Sequence, residues 1–397
     1  MVDRFWSSAA GREIGWRSRG LRTRYLRIES EPEQKGGSGS RARSAKAQRD
    51  LLDQLRAVNQ YPLMGPVAVD VAFWVSRPQS PGLHKLAKHL LDVLGAVSPE
   101  TGAPRRHVLY KDDRQVKLLY VRLWRAADAS VGPGHTTICA RPLRDVAADL
   151  ALVDTVADEL MTTSLSDDSE YSWPLTPRPT FDLRPARSDA NPAGWHEIDR
   201  WLATFEHARH QEELLVSAGG LLTRVLAGAP HWIAGVGAPS RPYAGTPAFT
   251  DIYTALDQTA ANRREMLLSG PLSIPLPGLP RARGEGRQFK AAVRKDVDAM
   301  VDRFPILAPL RVPLKVVLLV VPPEQGKDLD NLALSVLPAV RDALNGPDIT
   351  AYEVIELKRT AADPAAGLLR FALGSGSQDG STWQRATDYV ARCFDRA

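Results

Sequence analysis

The two ends of this 397-residue chain run through the same order of elements, so the fold that forms at one end is expected to form again at the other. Near the N-terminus a short strand candidate (25–28) leads to the basic, Gly- and Ser-rich loop EPEQKGGSGSRAR (31–43). A helix follows over 45–58, with Leu51, Leu52, Leu55 and Val58 at helical spacing. The alternation of Val67, Val69, Val71 and Phe73 marks a strand within 65–78, and LHKLAKHLLDVLG (83–95) is a short amphipathic helix closed by Gly95. Residues 108–125 read as strand, acidic turn, strand. At the far end come a strand candidate within 271–280 that its prolines push to an edge, the basic loop 280–287, and a helix over 286–304. A strand (310–321) and a helix (331–346) that Pro338 should bend or split come next. Strands at 349–359 and 368–373 and a closing helix at 382–395 complete the series. Residues 50–71 lie against 295–316 without a gap.

These segments divide the chain into a basic tail (1–23), a near unit (24–141), a mainly helical connector (142–270) and a far unit (271–397). The expected class is α/β (α+β): two small units with short mixed sheets flanked by helices.

Composition removes several alternatives. No run of 18 apolar residues is present, which argues against a membrane span. Two cysteines, Cys139 and Cys393, build neither a disulfide framework nor a thiolate zinc site. With no secretory pattern at the start, a reducing cytoplasm is the expected location. The net charge is +5, and basic residues crowd into 1–56 and 280–295. Two separated basic stretches fit a nucleic-acid surface, although solvated loops would carry the same charge. P-loop, GxGxxG and GxSxG patterns are absent.

The sharpest chemical signal is GKDLDN (326–331), with Lys327, Asp328, Asp330 and Asn331 directly after a strand and before a helix. Two carboxylates spaced two apart suit a hard cation such as Mg²⁺, with Mn²⁺ an equal match for oxygen ligands. The helix start adds a field that favours phosphate. Helix capping explains Asp330 but not Asp328. Asp112 and Asp113 precede a second strand, where a turn role is the plain alternative. Lys88 shares a helix face with His84 and offers a point charge to phosphate. His207 and His210 sit three apart near Glu206, without an evident third ligand.

At these residues the chain resembles the RusA-type Holliday-junction resolvases, in two divergent tandem copies covering about 25–125 and about 271–373. The far copy carries KDLDNL and DALNG (342–346), and its loop PRARGEGR resembles the family's basic loop. The near copy carries the acidic strand KDDRQV (111–116) and, at Lys88 with LLDVLG (90–95), the helix. Each copy departs from the pattern. Gly82 and His84 stand where the near copy should have its aspartates. In the far copy the family lysine falls on Leu334, the strand acid on Ala351 and the glutamine on Glu353.

The resemblance implies a Mg²⁺-dependent endonuclease cutting branched or duplex DNA. Its catalytic set would be Asp328, Asp330, Asp113 and Lys88, and its metal ligands Asp328, Asp330, Asp112, Asp113 and Glu353. DNA would be held by Lys35, Arg41, Arg43, Arg281, Arg283, Arg287, Lys290 and Lys327. Three arrangements follow: the far copy cuts alone with help from Glu353 or Glu356; the halves pool their acids; or both sites have decayed and an intramolecular pseudo-dimer binds DNA without cutting. A structural protein without a nucleic-acid role is the further alternative.

Overall fold

The computed structural model describes residues 5, 8–36, 39–77, 80–125, 133–163, 203–216, 218, 232–236, 273–276, 286–307, 309–321, 329–344, 349–358, 368–377 and 380–396. Its elements are α1 (Ala9–Gly20), β1 (Arg24–Ile28), α2 (Ser40–Ala57), β2 (Val67–Val75), α3 (Leu83–Leu94), β3 (Val116–Arg125), β4 (His135–Pro142) and α4 (Leu143–Thr163). After the middle of the chain follow β5 (Ser273–Leu276), α5 (Gly286–Arg303), β6 (Leu314–Val321), α6 (Leu329–Ala343), β7 (Ile349–Glu356), β8 (Leu368–Ser375) and α7 (Thr382–Arg396). The fold is mixed α/β, with two sheet-rich lobes.

The lobes share one eight-stranded sheet, in the order β1-β4-β2-β3-β7-β6-β8-β5. Exchanging each strand for its counterpart reverses that order into itself. The strand directions obey the same exchange: β2/β3 and β6/β7 are parallel, and every other pair is antiparallel. A matching irregularity interrupts both parallel pairs, between Val67 and Ala68 in one half and between Leu314 and Lys315 in the other. Leu143 N donates to Pro66 O at 2.9 Å and Gly376 N to Pro313 O at 2.8 Å, the same joint made twice. The duplication read from the sequence is therefore a pseudo-two-fold axis, and it passes between Tyr120 and Glu353, which face each other where β3 meets β7.

Pairing corrects the sequence register. Val116 and Ile349 hold equivalent places in the two parallel pairs. Ala351 is thus the counterpart of Leu118, and Glu353 of Tyr120; neither falls on the acidic turn.

Alternation explains which residues are buried where. Val67, Val69, Val71, Phe73 and Val75 point to one face and are 2% exposed or less. Each contributes roughly 1.5–3 kcal/mol of burial. That first face is covered by a layer in which α2, α3, α6 and α5 pack as successive neighbours. The second face carries α4 and α7, packed on each other. Apart from Lys315, strand β6, LKVVLLVV, is apolar on both faces because both are covered; β2 alternates because its second face is only partly covered.

Several expectations change. The supposed tail contains α1, whose Trp16 ring lies 5.8 Å from Phe394. Arg19 and Arg22 bind the buried Asp149 and Asp145 of α4 at 2.5 and 2.7 Å. The connector's first helix, α4, belongs to the near lobe as the counterpart of α7. A further helix covers 203–216, and the other described connector residues are 218 and 232–236. Helix α2 starts at Ser40, after Gly39 in the left-handed region (φ 72°), so Arg41 and Arg43 lie on its first turn rather than in a loop. Helix α6 runs unbroken through Pro338, held by buried Leu337 and Ala339 on either side. Strand β4 has no large apolar run in HTTICARP and was not expected.

Candidate functional site

Helices α3 and α6 meet over the central strands, each resting on both β3 and β7. Their counterpart positions are Leu83 and Leu329 at the helix starts, so His84 matches Asp330 and Lys88 matches Leu334. The axis brings Lys88 of the near half to the start of α6 in the far half. Lys88 Nζ donates to Asp330 Oδ2 at 2.8 Å and to Asn331 Oδ1 at 3.1 Å. Asp330 Oδ1 also accepts from Asn331 N at 2.8 Å. The Asp330 side chain is 1% exposed and that of Lys88 34%. Burial works against the Lys88 ammonium, but the hydrogen bond and charge of Asp330 outweigh it, with Asp92 and Asp113 adding to them. Its pKa lies above the ordinary lysine value, and it stays charged.

Asp112 and Asp113 sit at the short 3-10 helix Asp113–Gln115 that leads into β3. Asp112 is a cap: its side chain accepts from Arg114 N at 2.9 Å, and Gln115 Oε1 accepts from Asp112 N at 3.1 Å. The Arg114 amide hydrogen bond lowers the pKa of Asp112 against the effect of burial, with Asp113 and the charges of Arg114 and Lys111 adding to it. Asp113 is half-buried, and its charge acts on Lys88 and on buried Tyr110. Burial raises the Tyr110 and Tyr352 phenols, and Asp330 raises both further. The Tyr352 hydroxyl is buried without a hydrogen bond among the described residues. The site therefore gathers Lys88 and Asp113 from one half with Asp330 and Asn331 from the other. Asp328 and Lys327 lie outside the described residues, as do Arg281 and Arg283.

Glu353 does not join this group. It projects from the second face of the sheet, is 0% exposed, and accepts from Lys315 Nζ at 2.8 Å and from Thr382 Oγ1 at 2.5 Å. Thr382 N, at the start of α7, also donates to it. The carboxylate is thus taken up by a buried lysine and a helix N-terminus. Glu356 is held by Lys117 across the axis at 2.9 Å, a pair that no sequence motif marks. Burial raises its pKa, and Lys117 opposes that shift.

The basic residues are divided. Lys35 pairs with Asp92 at 2.8 Å and Arg43 with Glu33 at 2.7 Å, while Arg41, Arg287 and Lys290 are exposed on the first turns of α2 and α5. His207 contacts Gln211 at 2.9 Å, and Gln211 ties its helix to the carbonyls of Ile306 and Pro309. Among the described residues no three His, Cys, Asp or Glu side chains form a cation site. As donors, Asp330 and Asp113 are hard oxygens of the type Mg²⁺ takes, so the chemistry of the set fits the ion. No helix among the described residues is long and apolar enough to cross a membrane.

The chain matches no family model, no curated protein and no solved structure.

Proposed function

We propose that the chain acts on branched or duplex DNA as a RusA-like, Mg²⁺-dependent endonuclease with a single composite site on the pseudo-two-fold axis. The supporting observation is the 2.8 Å pair between Lys88 and Asp330, which unites residues kept in opposite halves. The near half retains Lys88 and Asp113 but has Gly82 and His84 in place of the aspartates. The far half retains Asp328, Asp330 and Asn331 but has Leu334 in place of the lysine. Loss of one site in a fused pair leaves this complementary pattern, whereas decay of both has no reason to spare it.

Asp330, Asp113 and Asp328 are the residues that would hold the cation. Bound Mg²⁺ would polarise a phosphate oxygen and acidify a water molecule. The Lys88 ammonium balances the buried Asp330 charge and supplies a cation beside the negative charge that develops on phosphorus. Asn331 fixes the direction of Lys88. The α6 N-terminus favours an anion at the same place. Arg41, Arg287 and Lys290 are placed to meet backbone phosphates without reading sequence.

A second reading, a DNA-binding protein that does not cut, is favoured by the burial of Asp330 and its hydrogen bonds to Lys88 and Asn331. Incubating four-way junction and linear duplex DNA with Mg²⁺ or Mn²⁺ separates the two. Cleavage that is abolished by chelator, Asp330→Asn and Lys88→Ala supports the endonuclease. Binding without cleavage by the wild type supports the second reading, and absence of binding removes both.

A further inference from the structure

The second face of the sheet is finished differently in the two halves. In the far half Val317, Leu319, Ile355 and Leu357 are at most 2% exposed and pack with Trp232 and Ile233, the latter bridged to Leu357. Their counterparts in the near half are Asp70, Ala72, Arg122 and Trp124, and these line a cleft of about 480 Å³. Its floor carries an unsatisfied group. Asp70 Oδ2 accepts from Ser381 Oγ at 3.2 Å, but Asp70 Oδ1 is buried with no partner among the described residues; beside it lies the hydroxyl of Tyr120, a residue 4% exposed, with Arg122 as its neighbour. Such a group costs stability that a hydrogen-bonding occupant returns. One wall is flat: the Arg122 guanidinium lies 3.7 Å from the Trp124 ring centre, and Trp124 stacks on Trp74 at 5.1 Å.

We propose that this cleft binds a nucleobase. A planar wall suits a planar ring, and an orphaned carboxyl oxygen beside a phenol suits the hydrogen-bonding edge of a heterocycle. An aliphatic chain would leave Asp70 Oδ1 unsatisfied. Burial, and then the charge of Glu353, raise the Asp70 carboxyl to about 8, so at neutral pH it offers a donor as well as an acceptor. The cleft lies across the sheet from Lys88 and Asp330 and does not depend on the reading of that site.

Calorimetric titration of the full chain with AMP, GMP, CMP and UMP, with ribose 5-phosphate as the base-free comparator and a short single-stranded oligonucleotide, tests this. Saturable binding of a mononucleotide assigns the cleft to a free nucleotide. Binding of the oligonucleotide alone assigns it to an unpaired base of a strand; either result supports the proposal. Trp124→Ala removes the plane on which the Arg122 guanidinium rests and should weaken binding by about tenfold or more. Ala72→Trp fills the cleft without deleting a contact, so a variant that melts like the wild type yet does not bind excludes a folding artefact. Equal binding of ribose 5-phosphate, absence of binding by every probe, or wild-type binding by both variants overturns the proposal. Loss of binding in Asp330→Asn would place the base elsewhere and overturn it as well.

Discussion

Replacing Lys315 by methionine removes the ammonium that Glu353 holds at 2.8 Å while leaving the carboxylate 0% exposed. Thr382 still donates to Glu353 through its hydroxyl at 2.5 Å and through its amide, so the charge stays hydrogen-bonded but loses its counter-ion. Stranding one partner of a buried pair costs about 3–5 kcal/mol. Scaled to 397 residues, that loss should lower Tm by roughly 4–6 °C. The second change, Glu353→Gln, keeps an acceptor for the Thr382 amide and removes the charge. The double variant Lys315→Met/Glu353→Gln should therefore recover at least half of the loss. The near half already uses an uncharged solution, with Ala68 and Tyr120 at the equivalent places. Equilibrium urea titration of wild type, both single variants and the double variant closes the cycle. A Lys315→Met variant within about 1 kcal/mol of wild type, or a coupling near zero, would refute the reasoning.

Asp70 should make stability depend on pH. Its folded pKa of about 8 exceeds the ordinary 3.8, so between these values the folded chain holds a proton that the unfolded chain has lost. Stability then falls as pH rises through that window, by up to about 1.4 kcal/mol per unit. Asp70→Asn should flatten the decline, gaining about 2–3 kcal/mol on wild type between pH 5 and pH 7.5; parallel urea curves at both pH values would count against it. Lys88→Met should cost about 1–3 kcal/mol by stranding Asp330, and adding Asp330→Asn should relieve it, as thermal melts would show. Reversing Arg41, Arg287 and Lys290 to glutamate should weaken DNA binding about tenfold or more and flatten its salt dependence by two to three ion equivalents. An unchanged slope in salt-titrated binding would remove these residues from the interface.

Much of the fold was legible because covered faces leave a pattern. The alternation in β2 and the fixed order of elements sufficed for the duplication. Strand β4 escaped because His135, the adjacent threonines and Cys139 offer no apolar run, although its counterpart β8 was recognised. Burial on both sides of β7 hid the face on which Glu353 lies, since a strand covered on both faces carries no parity signal. Lys88 and Asp330 could each be named from motifs, but their contact spans 242 residues of sequence and depends on how two lobes meet. No local rule encodes that. The cleft beside Asp70 was missed for a related reason: one acid among alternating valines looks like an ordinary solvent-facing residue.

The residues on the axis show what a single chain permits. In a homodimer every side chain meets its own copy at the symmetry axis, so a far-half dimer would set Glu353 against a second Glu353, two like charges sealed from water. Here the opposing residue is Tyr120, and Glu353 turns to Lys315 and Thr382 instead. Covalent linkage frees each half from having to fit its own image, and the halves of this protein are no longer interchangeable.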